Sequence, residues 1–312
     1  MTNPILLSPP CRSRGSALVL TFWLIAIMGL VVVGALQFAL VDSRAVTAQR
    51  GLAQARRMAE RALAVGAHPE IQRWDSALRQ EGELESYRAL ITADEGRMNP
   101  NTLIEGKQSI VLNRLFLLWG MKPAEAIALT GAMTDWVDTD DLVALNGAEA
   151  KAYATAGRAG LPLNRPFQSF EEMRLVIGMD QLESLRPDWR DFFTFWSEGK
   201  INLNEAAPEV MAAATGVQLK AARRVFQSLA GRDGQRYTKD DIRFATVAEA
   251  LQRLGIYTPA PPHLGIDGNT RRVEAIGTSG SFQCKLVMVL RGTEAVYRQE
   301  HPMSNESNVD RK

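Results

Sequence analysis

The chain has almost no cysteine, little histidine and no surplus of charge. Cys11 and Cys284 are its two cysteines in 312 residues, too few for a disulfide framework. If the N-terminus is processed as argued below, Cys11 is lost and no intramolecular disulfide can form. His68, His263 and His301 are far apart, and no pair has the helical spacing that holds zinc. Net charge is +1, from 36 basic and 35 acidic residues, which excludes chain-wide attraction to a polyanion. Low-complexity tracts are absent, which excludes long disordered segments. Gly277-Thr278-Ser279-Gly280 lacks the pattern of a nucleophile elbow and sits between strand signals. Catalysis and small-molecule chemistry therefore have no carrier, and the reading turns to structural and binding roles.

What the chain does have is a run of 26 residues without a charge, from Ser16 to Val41. As a helix it spans about 39 Å, more than the roughly 30 Å hydrocarbon core of a bilayer. Beyond it, Ala45, Ala48, Leu52, Ala55, Ala59 and Ala62 recur at alternating spacings of four and three. That places them on one helical stripe, with Arg44, Arg50, Arg56, Arg57 and Glu60 on the other faces. The spacing predicts one helix that is half membrane span and half amphipathic stalk, ending near Gly66 and Pro69. Arginines are more numerous after the run than before it, where Arg12 and Arg14 stand. This reverses the usual cytoplasmic bias, but the residues after the run belong to the continuing helix.

The soluble part alternates in character. Ser86–Thr92, Arg271–Ile276, Phe282–Arg291 and Ala295–Arg298 read as strands, with Gly277 to Ser281 as a hairpin turn. Between them, helices are predicted over Gln108–Trp119, Pro123–Val137, Glu149–Thr155, Ser169–Gly178, Gln181–Leu185, Glu209–Thr215, Leu219–Leu229 and Val247–Gly255. Trp119, Trp136, Trp189 and Trp196 are expected in the core of this block. A weak repeat is visible inside it. Phe167-Gln-Ser-Phe-Glu-Glu and Phe244-Ala-Thr-Val-Ala-Glu each lead through a Ser or Thr cap to a short helix and a glycine stop.

The basic leader ending in Gly15, followed by an uncharged helix from Ser16, resembles a type IV prepilin signal. The resemblance implies cleavage between Gly15 and Ser16 by a prepilin peptidase. Leu20 occupies the fifth mature position, where most pilins carry glutamate. Four further segments resemble, in order, the K-type minor pseudopilins of type II secretion. They are Asp94-Glu-Gly-Arg-Met-Asn-Pro-Asn101, Asp135-Trp-Val-Asp-Thr-Asp140, Asn146-Gly-Ala-Glu149 and Ile201-Asn-Leu-Asn-Glu-Ala-Ala-Pro208. The resemblance implies an α+β, pilin-like fold: a long N-terminal helix packed on an antiparallel sheet, with an inserted all-helical domain. The implied divisions are a leader at 1–15, a membrane helix at 16–41, and a stalk with the first part of the pilin-like domain at 42–99. A helical insertion at 100–262, closing strands at 263–303 and a polar tail at 304–312 follow. It further implies a structural role at the tip of a pseudopilus in the inner membrane, with its soluble domain periplasmic. The implied partners are the I and J types and then the H type.

Asp135, Asp138, Asp140, Asp141 and Glu149 form an acidic cluster whose oxygens suit calcium; the resemblance points the same way, with Asp135, Asp138, Asp140 and Glu149 as the candidate ligands. The plainer reading is helix capping and a solvated loop. An EF-hand is excluded, because Leu142 and Val143 fall where that loop needs a polar ligand and a glycine. A second functional reading is a helix-hairpin-helix module binding DNA around Gly216-Val217-Gln218, with Arg223 and Arg224 following. It lacks the second glycine of the phosphate-holding turn, and no nucleic-acid partner is expected.

Overall fold

A computed structural model describes residues 14–303, with side chains from 18 to 38 and from 44 to 300. Cys11, most of the expected leader and the whole polar tail lie outside the described residues. Gly15 and Ser16 fall within the first helix, but their side chains are not described. By its contacts the chain divides into one unit up to Gln54 and another from Ala55 onward.

Helix α1 (Arg14–Ala67) is 54 residues long. Within the first unit, Leu18–Phe38 is long and apolar enough to cross a membrane, and Leu20 is 66% exposed. Of the expected stripe, Ala45 and Leu52 are exposed and Ala48 half-buried. In the second unit Ala55, Ala59 and Ala62 are fully buried, joined by Met58 and Leu63.

This end of α1 lies on a five-stranded antiparallel sheet. Its strands are β1 (Arg79–Gln80), β2 (Glu85–Thr92), β5 (Thr270–Ser279), β6 (Phe282–Arg291) and β7 (Glu294–Met303), adjacent in that order. Small side chains let the helix come close. A Cβ on Gly277 would collide with the Ala55 carbonyl and the Ala59 amide, and one on Gly66 would meet Val273. Gly277 is thus a strand residue at a close approach, not part of the turn that its sequence suggests. The turn is Gly280-Ser281, with Gly280 at φ +55° in the left-handed region. Ala55, Ala59, Ala62, Leu63, Ile91, Val273, Ala275, Cys284 and Leu286 form the core between helix and sheet.

A second, larger core fills the helical block between β2 and β5. Its helices are α2 (Pro100–Glu105), α3 (Ile110–Leu118), α4 (Pro123–Val137), α5 (Ala150–Thr155), α6 (Phe170–Met173) and α7 (Met179–Leu185). They continue with α8 (Pro208–Thr215), α9 (Leu219–Ser228) and α10 (Val247–Arg253). Trp136 and Trp189 are fully buried and Trp119 nearly so, while Trp196 is half-buried and stacks on Tyr297 of β7. Two expectations change. The block is not wholly helical, because β3 (Ile201–Asn202) pairs in parallel with β4 (Leu264–Gly265). The helix expected over Ser169–Gly178 stops at Met173, where tighter i to i+3 bonds take over.

The weak sequence repeat has a structural counterpart. Asn101 holds the backbone of Phe167, accepting from its N–H (2.8 Å) and donating to its carbonyl (2.9 Å). Asn204 holds Phe244 in the same way, at 2.8 and 3.2 Å. Each clamp is preceded by a second asparagine whose Oδ1 accepts its backbone N–H, Asn99 for Asn101 and Asn202 for Asn204. Each clamped phenylalanine leads to a capped helix. Ser169 accepts from the Glu172 amide and Thr246 from the Glu249 amide, and each glutamate accepts in return from the residue before the cap.

Candidate functional site

Two groups of buried acids stand out, and they are built in opposite ways. The first joins the helical block to the sheet. Asp94 is fully buried and pairs with Arg272 (3.2 Å) and Arg97 (3.6 Å), and also accepts from the Thr194 hydroxyl. Glu205 meets Arg73 (2.8 Å) and Arg243 (3.2 Å) and takes the Ala93 amide. Glu95 takes the Asn269 and Thr270 amides, both at 3.0 Å. Burial alone would raise the Glu274 pKa, but Arg272, Lys285 and Arg97 outweigh it and bring it to about 2. Every acid here has a cation or a set of donors, as a buried charge requires. The hub is not visible as a unit in the sequence, because the pairs that join the helical block to the sheet, Arg73–Glu205 and Arg272–Asp94, lie more than a hundred positions apart.

The second group lies at the end of α4, and the structure brings Asp135, Asp138 and Glu149 into one neighbourhood. Asp135 closes the apolar face of α4 with no exposure. Its Oδ1 accepts the Ala144 amide at 2.8 Å, and the Ala148 amide acts against the rise of its pKa, so the loop after α4 folds back over the helix. Gly131 allows that return, since a Cβ there would lie 2.6 Å from the Leu145 carbonyl. Gly147 allows it too, because a Cβ there would strike Asp135 Oδ2. Asn146 supplies the bend at φ +57°.

What this loop lacks is positive charge. Asp135 Oδ2, Asp138 Oδ1 and both Glu149 oxygens are buried without a hydrogen-bond partner. Burial pushes the pKa of all three upward. Repulsion adds to it, from Asp140 on Asp135, from Asp140 and Asp135 on Asp138, and from Asp135 and Asp138 on Glu149. The Asp140 side chain is exposed and its Oδ1 accepts the Leu142 amide at 2.8 Å, as in a capped turn. Asp140 thus serves as a turn cap, whereas Asp135, Asp138 and Glu149 keep oxygens without a partner. Four unpartnered oxygens on anionic groups make a hard-donor set that fits calcium and does not fit a soft metal. Among the described residues, no three acidic, histidine or cysteine side chains already stand at metal-ligand spacing. A cation there has to draw the carboxylates together.

The stretch read as a phosphate-binding turn is organised as a helix stop. Gly216 caps α8 in the left-handed conformation, and α9 begins at Leu219 without a side-chain cap.

A family model described as type II secretion system (T2SS), protein K matches residues 75–187, which contain the whole acidic loop. Type II secretion system protein K of Klebsiella pneumoniae is 41% identical over 70 residues, 22% of this chain and 22% of that protein. The protein of the same name from Dickeya chrysanthemi is 34% identical over 70 residues, 22% of this chain and 19% of that protein. The chain thus spans about a fifth of the length of the curated relatives it matches. Among solved structures, one described as the GspK–GspI–GspJ complex of the enterotoxigenic Escherichia coli type 2 secretion system contains a similar chain. The match has a TM-score of 0.56 and 14% identity, covering 89% of this chain and 99% of that one. At that identity the likeness speaks for the fold. The DNA-binding alternative finds no support in these matches.

Proposed function

We propose that the chain is a minor pseudopilin of the type II secretion system protein K family, a structural subunit at the tip of a secretion pseudopilus. The observation that carries this reading is the protein K match over residues 75–187. In this reading a prepilin peptidase cuts between Gly15 and Ser16. The apolar stretch Leu18–Phe38 then holds the subunit in the inner membrane, with the second unit in the periplasm. Leu20 stands where filament-body subunits carry a glutamate. A carboxylate buried among helices needs a partner, commonly the amino terminus of the neighbouring subunit. A subunit with leucine there makes no such pair, which suits a member that begins the filament. The helical block, residues 100–262, is too bulky for the filament body and caps it.

Its work is mechanical, with no catalytic step. The relative from enterotoxigenic E. coli is found with GspI and GspJ; by analogy this subunit assembles with the I and J types, and the H type follows. Moving subunits then push exported proteins through an outer-membrane channel.

The acidic loop fits a structural calcium ion. Asp135, Asp138 and Glu149 would hold it, with Asp140 at the rim. The ion would supply the positive charge that the loop lacks and fix the loop on α4.

Co-expression of the full chain with the I- and J-type pseudopilins and the peptidase tests the reading. A stoichiometric complex, with Ser16 as the new N-terminus by mass spectrometry, is the expected result. A chain that stays uncut and binds neither partner overturns it.

A further inference from the structure

The sheet face turned away from α1 carries an open groove of about 790 Å³. It lies over β1, β2 and β5 and reaches Gln283 of β6. Arg79 and Arg88 face each other across its rim as direct partners in the β1–β2 ladder. Like charges placed so are unfavourable as they stand. Both side chains are exposed, and neither forms an ion pair or hydrogen bond with any described residue. Other basic side chains of this sheet contrast with them: Arg272, Lys285 and Arg298 each have a carboxylate partner.

The acids in the groove do not fill the gap. Glu274 is held by Arg97, Arg272 and Lys285, and Glu81 on the rim pairs with neither arginine. The floor mixes apolar and polar groups, Leu90 and Ile276 beside Thr278 and the Gln80 and Gln283 amides. Two guanidiniums on one rim recognise carboxylates through forked, charge-assisted hydrogen bonds. An aliphatic floor between strands suits a chain in extended form.

We infer that this groove is a docking site for an acidic, extended segment of a partner protein, whose carboxylates are bound by Arg79 and Arg88. The charge complementarity commits the occupant: the arginine pair is short of anions, and the groove is roomier than a single anion needs. The site is separate from the acidic loop and does not depend on calcium.

The test uses the full-length protein in detergent micelles at low ionic strength, where exposed charges act most strongly. A fluorescent peptide of alternating glutamate and valine is the probe, followed by anisotropy. It binds the native protein, and the double variants Arg79→Glu/Arg88→Glu and Arg79→Gln/Arg88→Gln weaken binding roughly tenfold or more. Both positions are exposed, so neither double variant lowers the thermal unfolding midpoint. A lysine–valine peptide does not bind. The inference falls if the acidic peptide fails to bind, or binds the variants as well as the native protein. It also falls if inorganic phosphate displaces the peptide at the peptide's own affinity, which would mark a simple anion site.

Discussion

Asn101 and Asn204 perform one task at two places in the helical block, and the chain between clamp and clamped segment differs. Asn204 closes on Phe244, 40 positions on, across α8 and α9. Asn101 closes on Phe167, 66 positions on, across α2, α3, α4, the acidic loop and α5. The frame of each half is satisfied: asparagine before asparagine, clamp on phenylalanine, hydroxyl cap on a short helix with a returning glutamate. The additional length in the first half brings the unsatisfied chemistry. Among the described residues, every buried carboxylate oxygen without a partner belongs to Asp135, Asp138 or Glu149. The frame is therefore the part that folds the block, and the acidic loop is the part that a frame of this kind can carry without needing it.

The clamps give the largest expected effects. Asn204→Ala strands the Phe244 N–H and carbonyl and the Ile266 carbonyl in the core. At about 1–3 kcal/mol for each stranded group, the loss is about 3 kcal/mol or more in denaturant unfolding. Asn101→Ala strands two groups and costs about 2–6 kcal/mol on the same scale. If one variant unfolds the block and the other shifts the midpoint by less than about 0.5 kcal/mol, an ordinary surface effect, the two halves are not equivalent frames.

Calcium sharpens the contrast from the other side. At about a hundred times its dissociation constant, a ligand stabilises the folded state by about 2.7 kcal/mol. That gain is expected in the native protein and in the Arg79→Gln/Arg88→Gln variant, and it disappears in Glu149→Gln. Calorimetric titration that finds the same affinity for native and Glu149→Gln protein would move the site elsewhere. A smaller change tests how the loop sits. In Gly147→Ala the new methyl strikes Asp135 Oδ2 and costs about 1–3 kcal/mol by overpacking. The damage should appear as faster hydrogen exchange at Ala144 and Ala148, with the Phe244 clamp unmoved.

Much of this architecture is legible in the chain itself, for local reasons. The α4 bounds, Pro123 and Val137, follow from a proline at the first helical position and an apolar period that stops at an aspartate. β6 is read to the residue because its alternation is bounded by turn residues at both ends. The α2 helix was missed although Asn99 and Pro100 signal its start, because six residues give too short a period to see. Gly277 was misplaced because a glycine needed for a close helix approach looks, in sequence, like a glycine needed for a turn. The acidic cluster could be seen as a cluster. Which of its oxygens lack partners could not, since that depends on the loop returning over Gly131. The clamps were invisible for the same reason: no local pattern joins Asn101 to Phe167.

The smallest effect concerns sign. Glu274 is held at about 2, below its ordinary value of 4.5. Its contribution to stability is full above pH 4.5 and is lost as pH falls toward 2. Asp135, Asp138 and Glu149 are shifted the other way, first by burial and then by one another, with Asp140 and Asp141 as the other charged groups acting on them. The folded loop binds more protons than the unfolded one, so its own stability is highest at low pH. It falls as pH rises from the ordinary carboxylate value through the raised values. In the presence of a chelator, the exchange protection of Ala144 and Ala148, corrected for the intrinsic rate, is therefore expected to decline as pH rises above the ordinary carboxylate range, while amides of β5 beside Glu274 hold steady there. Added calcium removes the decline, because a bound cation reverses the repulsion that raises these values. A loop whose protection rises with pH in the chelated protein would mean that its carboxylates are already neutralised from within the chain, and the contrast between frame and loop would be lost.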